Sequence, residues 1–255
     1  MTVRPMATTV PKLRVDIWSD VVCPWCYIGK RRFEAAVAEL DGELELDVHF
    51  RAYQLDPTAS PGKSGPVFDA YARKFGGPEQ AKMLIDRVTD TAAGEGLEFR
   101  MDRALRANTL LAHRLLWWAD QPATPVTQEA MKERLLQAYF VDGLDIGLPE
   151  TLADCAAELG ADRDDVLGFL TSDAGRDAVA DDLSQAAEHG ISAVPTFVIE
   201  GQWAIPGAQD SDTFVNVFRR LADKLRATEE AAATDGDDSD AAPGESCEGD
   251  ACSTD

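Results

Sequence analysis

The sequence is poor in basic residues and contains no long hydrophobic run. Its 255 residues include 24 Lys and Arg against 46 Asp and Glu, which gives a formal net charge of −22 at pH 7. Nucleic-acid binding depends on clusters of Lys and Arg that neutralise phosphates, so we expect no nucleic-acid partner. A membrane-spanning helix needs about 20 consecutive, mostly apolar residues, and no stretch of the sequence approaches that length. We therefore expect no membrane partner.

Histidine is scarce as well. The chain has three histidines, His49, His113 and His189, and neither His113 nor His189 has a second ligand four residues later, as a helical metal motif requires. We expect His49 to be solvated on the polar face of a strand, and the other two to have structural or surface roles. The sequence thus predicts no histidine-based metal site.

The first twelve residues lack the apolar segment and the small-residue cleavage pattern of a secretory signal. We therefore expect a cytoplasmic protein. Structural disulfides are rare in the cytoplasm, where a close pair of cysteines is more often catalytic or metal-binding.

The acidity extends over the whole chain. Ten acidic residues lie from Glu229 onward, so more than half of the negative excess precedes that residue. We interpret this as the surface of a halophilic protein, because concentrated salt screens the repulsion between like charges. An acidic protein from a low-salt cytoplasm is the alternative.

The clearest motif is Cys23-Pro24-Trp25-Cys26. An alternating apolar pattern at residues 13–17 predicts a strand before it, and helical spacing of apolar residues predicts a helix after it. Pro is tolerated at the first helical position, and two thiols on the first turn can form a disulfide. Free N–H groups at the helix start stabilise a thiolate, so we expect a lowered pKa at Cys23. The motif predicts a redox-active dithiol.

The remaining patterns predict an α/β fold. Residues 44–50 alternate as a second strand, which completes a βαβ unit with parallel strands. After Pro195, residues 196–199 predict a strand, followed by a Gly turn, another strand and a helix. Mostly helical spacing fills residues 55–190. The expected order is βαβ, a long helical stretch and ββα.

Four segments carry a family pattern: Ser19–Gly29, Asn108–Arg114, Gln137–Phe140 and Ala193–Val198. Together they resemble the DsbA-like group of the thioredoxin superfamily, close to the FrnE-type dithiol–disulfide oxidoreductases. The resemblance implies a thioredoxin fold with a long all-helical insertion at about residues 55–190. The expected organisation is a flexible N-terminus at 1–12, a single domain at 13–228 and a disordered acidic tail at 229–255.

The resemblance also implies a protein-disulfide oxidoreductase that acts on protein or small-molecule disulfides and exchanges electrons with a thiol-based donor. Its only redox group is the Cys23–Cys26 disulfide, and no other cofactor is expected. Cys23, the outer residue, forms the mixed disulfide, and Cys26 resolves it. Pro195 is expected to be cis beside the dithiol. The expected substrate-binding residues are Pro24, Trp25, Val194 and Pro195. The sequence predicts no particular oligomeric state.

The proton acceptor for Cys26 stays unassigned. Thioredoxins commonly place a buried acid on the first strand, six residues before the first cysteine, and Ile17 occupies that position here. Two acids lie near it in sequence. We expect Asp16 to be a solvated residue on the other face of the strand, and Asp20 to be a turn or cap residue.

Three readings of the cysteines remain open. Cys23 and Cys26 could form half of a zinc site completed by Cys247 and Cys252, since structural zinc takes four such ligands. The tail pair could instead be an accessory dithiol, or simply a free tail. Cys155 lies in a predicted helix, and we expect it to be a small buried apolar side chain.

Two rival functions also remain. Kappa-class glutathione transferases and 2-hydroxychromene-2-carboxylate isomerases share the helical insertion and resemble the chain around Asn108 and Thr109. They typically carry Ser at the position of Cys23, so the presence of both thiols argues against this branch. A holdase whose dithiol is incidental is the third possibility.

Overall fold

The computed structural model describes residues 10–235 of the chain. The central sheet has four strands: β1 Lys12–Ser19, β2 Glu45–Ala52, β5 Thr196–Ile199 and β6 Trp203–Pro206. Their order in the sheet is β2-β1-β5-β6. β1 is parallel to β2 and antiparallel to β5, and β5 is antiparallel to β6. Helix α1, Pro24–Glu39, joins β1 to β2, and helix α9, Ser211–Asp235, follows β6. This order confirms the expected βαβ and ββα halves of a thioredoxin fold.

Seven helices lie in the segment between β2 and β5. They are α2 Val67–Phe75, α3 Pro78–Gly94, α4 Leu110–Ala119, α5 Gln128–Gln137, α6 Pro149–Glu158, α7 Arg163–Thr171 and α8 Arg176–Glu188. A π-helical turn, Ala138–Asp142, extends α5. Among the described residues, no helix combines the length and the apolar character that crossing a membrane requires.

The expectation of an all-helical insertion is wrong in one detail. β3, Gly65–Pro66, pairs antiparallel with β4, Leu105–Arg106, ahead of α2 and α4. Two paired residues are too few to produce the alternating pattern by which a strand is recognised in a sequence. The pairing joins segments about forty residues apart, so local spacing could not have predicted it.

β1 is buried on both faces. Val15 and Ile17 lie in the sheet core, while Trp18 packs with the residues around the dithiol. Asp16, on the same face as Trp18, is 8% exposed. The expectation of a solvated Asp16 is therefore wrong, because a central strand in this fold has helices on both sides of the sheet.

Helix α1 separates two hydrophobic cores. The aromatic rings of Phe33, Phe197 and Phe214 meet between α1, the sheet and α9. On the other side of the helix, the ring of Tyr27 stacks 5.8 Å from that of Phe99 in the core of the insertion. Each core therefore fixes one side of α1.

Arg114 holds α7 against α4. Its guanidinium donates to the carbonyl oxygens of Phe169 and Leu170 at 3.0 Å, and to those of Ser172 and Ala174 at 2.9 Å. The residue is 3% exposed. Carbonyls at a helix end have no partner within the helix, so one side chain here supplies several missing donors.

Replacing Arg114 with Leu is expected to lower the free energy of unfolding by about 2–4 kcal/mol, because buried carbonyls lose their donors. Urea denaturation followed by tryptophan fluorescence measures the change. Arg176→Leu is the control, since the side chain of Arg176 is 63% exposed and pairs with Asp173 at the surface. This pair should contribute no more than about 1 kcal/mol. An unchanged urea midpoint in Arg114→Leu would show that these hydrogen bonds do not stabilise the fold.

Candidate active site

The dithiol lies at the start of α1, directly after β1. Cys23 is the N-cap residue, with φ −88° and ψ 114°, and Pro24 follows at the first helical position. The carbonyl oxygen of Cys23 accepts hydrogen bonds from the backbone N–H groups of Cys26 and Tyr27, at 3.1 and 3.3 Å. Both cysteines are free thiols, with Cys23 3% and Cys26 2% exposed. The position of the pair agrees with the sequence pattern.

The segment before β5 lies against the dithiol. The Cys23 thiol donates to the carbonyl oxygen of Val194 at 3.6 Å. The Val194–Pro195 peptide bond is cis. Trp25, between the two cysteines, is 37% exposed. The residues expected to bind substrate thus lie around Cys23, with Trp25 as the exposed apolar side chain of the group.

The two thiols differ in their pKa. The hydrogen bond with Cys26, together with burial, raises the pKa of Cys23 well above its usual value. Burial acts to raise the pKa of Cys26 too, but hydrogen bonds from Cys23 and Ser19 and the charge of Lys132 lower it. Of the two thiols, Cys26 is therefore the one that ionises more readily. The expected lowering at Cys23 is wrong for the free dithiol, because this sulfur is enclosed and donates a hydrogen bond.

Asp20, three residues before Cys23, is fully buried. Its carboxylate accepts the backbone N–H groups of Val21 and Leu55, both at 2.8 Å. The ring Nε2 of His113 lies 3.2 Å from the same carboxylate and 3.0 Å from the carbonyl oxygen of Tyr53. Asp20 does accept from its own turn, as expected of a turn residue. It also joins this turn to the segment after β2 and to α4, which local sequence could not reveal.

Asp16 is the second acid near the dithiol in sequence, and it has different partners. Its carboxylate accepts from the guanidinium of Arg14 at 2.8 Å and from that of Arg51 at 2.7 Å. Burial acts to raise the pKa of Asp16, but these two arginines hold it below its usual value. An acid that stays ionised in this way is a poor proton acceptor for Cys26.

Lys132, on α5, is a residue that the sequence reasoning missed. It is fully buried, and its Nζ has no hydrogen-bond partner among residues 10–235. The ammonium lies 5.5 Å from the centre of the Phe50 ring. Burial lowers the pKa of Lys132 to about 8, against the opposing charges of Cys26 and Asp20. The available signal was its position on the helix face that also carries Met131, Leu135 and Leu136, which are apolar and buried.

The other candidates lie apart from these groups. Cys155 is 1% exposed, which confirms a small buried side chain, and burial raises its pKa to about 11. His49 is not simply solvated, since its Nδ1 lies 3.2 Å from the Asp120 carboxylate. Cys247 and Cys252 fall outside the described residues, so the zinc reading and the accessory-dithiol reading stay predictions. Within residues 10–235, no three His, Cys, Asp or Glu side chains are arranged to hold a metal ion.

Asn108 and Thr109 support α4. Asn108 donates from Nδ2 to the carbonyl oxygen of Ala59 at 2.7 Å and accepts the Leu110 N–H at 3.0 Å. The Thr109 hydroxyl lies 3.4 Å from the side-chain amide of Gln54. This segment therefore fixes the start of the helix that carries His113.

Comparison with known proteins identifies the family pattern. The family model described as a DSBA-like thioredoxin domain matches residues 14–219. Among solved structures, the probable DsbA oxidoreductase of Streptomyces coelicolor is 30% identical, covers 95% of this chain and 97% of its own, and has a TM-score of 0.76. The uncharacterised protein YwbO of Bacillus subtilis is 29% identical over 204 residues, which are 79% of this chain and 94% of that protein.

Two more distant structures share the fold. A 2-hydroxychromene-2-carboxylate isomerase is 18% identical, with a TM-score of 0.57 over 86% of this chain and 98% of its own. The cytosolic disulfide reductase DsbM of Pseudomonas aeruginosa, solved with GSH, is 19% identical and has a TM-score of 0.56. The match covers 86% of this chain and 100% of the DsbM chain. At these identities the likeness concerns the fold alone.

Gly29 allows α1 to approach the cis-proline segment. A Cβ at this position would lie 2.9 Å from Cγ of Pro195 and 3.3 Å from Cβ of Ala208. We expect Gly29→Ala to lower the free energy of unfolding by about 1–3 kcal/mol, because a methyl group is forced into a packed contact. We also expect faster alkylation of Cys23, because displacement of this segment weakens the cover over the thiol. Urea denaturation and timed alkylation measure the two effects.

Gly168→Ala is the matched control, because Gly168 is also helical and its Cβ would meet no described atom within 4 Å. This change should raise the free energy of unfolding by about 0.5–1 kcal/mol, since Ala favours a helix more than Gly does. Equal effects of the two substitutions would show that the contact between Gly29 and Pro195 is not tight.

Proposed function

The chain belongs to the DsbA-like thioredoxin-domain family, and we propose that it is a thiol–disulfide oxidoreductase working through Cys23 and Cys26. One observation carries this proposal. Both thiols of a CxxC motif meet at the start of α1, one of them against the carbonyl oxygen of Val194. The FrnE type is the subgroup we propose, on the strength of the motifs named above.

The proposed reaction begins with attack of the Cys23 sulfur on a substrate disulfide. As the new S–S bond forms, the proton of Cys23 passes to Cys26, and one substrate thiolate leaves. That thiolate takes the proton from Cys26. The Cys26 thiolate then attacks the sulfur of Cys23, which breaks the mixed disulfide and forms the Cys23–Cys26 disulfide.

The second substrate sulfur leaves as a thiolate and is protonated by water. The substrate thus gains two electrons and two protons, and the dithiol supplies both electrons. A thiol-based donor reduces the enzyme disulfide by the reverse exchange. In a reducing cytoplasm, where we propose that the protein works, the dithiol rests reduced. This favours reductase or isomerase activity.

The surroundings of Cys23 suggest how a substrate binds. We propose that an extended protein segment pairs with the backbone of Val194, next to the sulfur. The carbonyl oxygen of Val194 accepts only the long contact from Cys23 among the described residues, so it can also accept a stronger N–H donor. Trp25 offers an apolar surface beside it, so a disulfide flanked by apolar residues is the expected protein substrate.

Redox titration tests the proposal. The Cys23–Cys26 pair is expected to change between dithiol and disulfide in a reversible two-electron step, between about −120 and −270 mV. The measurement is alkylation and mass determination after equilibration with glutathione or dithiothreitol buffers. Cys26→Ser should accumulate a mixed disulfide with glutathione, because the resolving thiol is missing, and Cys23→Ser should not.

Cys155→Ser is the control, since that thiol lies apart from the dithiol, and its titration curve should match that of the parent. Failure of the pair to cycle would contradict the proposal. It would favour the kappa-class transferase or isomerase branch, which binds glutathione without cycling a disulfide.

The charge balance generates a separate prediction. If the acidic surface is an adaptation to a salt-rich cytoplasm, the thermal midpoint should rise between about 0.1 and 1 M KCl, because the Debye length falls from about 10 to 3 Å. Differential scanning calorimetry measures the midpoint. Sucrose at the same osmolality is the control for solvent exclusion. A midpoint that is the same at both salt concentrations would favour the low-salt alternative.

A further inference from the structure

Lys132 has an uncommon environment for a lysine. A buried ammonium normally has a carboxylate or carbonyl within hydrogen-bonding distance, because removing a charge from water is costly. Here the residue is fully enclosed, and Nζ has no such partner among the described residues. The Phe50 ring is the group described in contact with its charge, at 5.5 Å. No described protein group therefore compensates for this charge through a hydrogen bond.

The position of Lys132 is fixed from two sides. One turn earlier on α5, the side-chain amide of Gln128 accepts the Phe50 N–H at 2.7 Å and donates to the Phe50 carbonyl oxygen at 3.0 Å. The next residue, Glu133, accepts from the Tyr27 hydroxyl at 2.7 Å and from the Lys30 ammonium at 2.8 Å, both on α1. Helix α5 is therefore attached to β2 and to α1, and Lys132 lies between the two attachments.

Four ionisable groups have the largest electrostatic effect on this ammonium. The groups that act on it are Cys26 and Cys23 at the start of α1, Asp20 in the preceding turn, and Lys30 further along α1. Lys30 is neutralised by ion pairs with Glu34 and Glu133. Asp20 already accepts from two backbone N–H groups and lies near His113. Among these groups, only the dithiol gains or loses its negative charge during the proposed reaction.

We propose that the Lys132 ammonium, enclosed where α5 packs against β2 and α1, supplies the positive charge that stabilises the Cys26 thiolate while Cys23 is bonded to substrate. This inference rests on the oxidoreductase function proposed above. In the mixed disulfide, the proton of Cys26 must leave before its sulfur can attack Cys23. The departing substrate thiolate takes this proton, and Lys132 stabilises the negative charge left on Cys26. Lys132 itself forms no bond with substrate and acts through Cys26.

The test uses the Cys23→Ser variant. Residue 23 cannot ionise in this variant, just as the bonded Cys23 cannot ionise in the mixed disulfide, and it cannot form a disulfide with Cys26. In this background, Lys132→Met should raise the pKa of Cys26 by about 1–3 units, the effect of removing a nearby opposite charge. Alkylation of Cys26 at pH 7 should then slow at least tenfold, and the rise in rate should move to higher pH. Thiolate absorbance and timed alkylation of the full chain give the two profiles.

Lys30→Met is the matched control. Lys30 is also a buried lysine, 4% exposed, and its loss disturbs the same region of the fold. Because Lys132, and not Lys30, is among the groups that act most strongly on Cys26, the loss of Lys30 should change the pKa of Cys26 much less than the loss of Lys132 does. Equal alkylation profiles for Lys132→Met and Lys30→Met would overturn the proposal.

A second measurement needs no substitution at Lys132. In the parent protein, reduction of the disulfide should raise the pKa of Lys132, because a thiolate appears beside the ammonium and the coupling is reciprocal. NMR of lysines labelled at Cε can follow this titration in both redox states. The same Lys132 pKa in both states would also overturn the proposal, even if Lys132→Met does not fold.

The redox potential of the Cys23–Cys26 pair separates an electrostatic role of Lys132 from a structural one. Loss of the charge shifts the potential in one direction only, whereas a general disturbance of the fold has no fixed direction. Lys132→Met should make the potential of the Cys23–Cys26 pair more negative, by about 30 mV for each tenfold loss in stability of the reduced form. Failure of this inference is distinguishable from failure of the proposed function. The ionisation of Cys26 can be measured whether or not the dithiol turns over a substrate.

Discussion

The burial of α1 between two cores is the constraint on which the site depends. A helix that packs against a single core can move when the side chains of that core rearrange. Here Phe33 is held by the aromatic core of the sheet, and Tyr27 by the core of the insertion. The first turn of the helix, with both thiols, is therefore fixed relative to Val194 on one side and to α5 on the other. A reaction between sulfurs depends on such placement, because attack requires three sulfur atoms in line.

The charges around the dithiol follow from the same burial. The chain has a net charge of −22, so basic residues are scarce, and the burial of one of its lysines is not explained by an excess of lysine. Asp20 and Lys132 are both enclosed, but Asp20 has three donors around it, whereas Lys132 faces an aromatic ring. An enclosed charge without hydrogen bonds lowers stability. Sites that combine such a cost with a nearby reactive group are often functional. The low pKa of Cys26 is therefore linked to the cost of burying Lys132.

Much of the thioredoxin half could be predicted from the sequence. The alternating pattern of β1, the Pro after Cys23 and the apolar run after Pro195 are local signals, and the structure places each element where the pattern indicates. The errors concern contacts between distant segments. Asp16 is buried because β1 is central, and the pKa of Cys23 is raised, not lowered, because its thiol is hydrogen-bonded and enclosed beside Cys26 and Val194. None of these contacts produces a periodic pattern of residues by which it could be recognised in the sequence.

The helical insertion supplies ionisable groups near the dithiol. The sheet and α1 supply the sulfurs and the cis-proline segment, but α4 supplies His113 and α5 supplies Lys132. The energy difference between an oxidase and a reductase is small, since about 30 mV corresponds to about 1.4 kcal/mol. A single buried charge near Cys26 acts at that scale. Two proteins with the same CPWC motif could thus differ in redox direction through their insertions alone, because the charge that we propose for stabilising the Cys26 thiolate comes from a helix outside the motif.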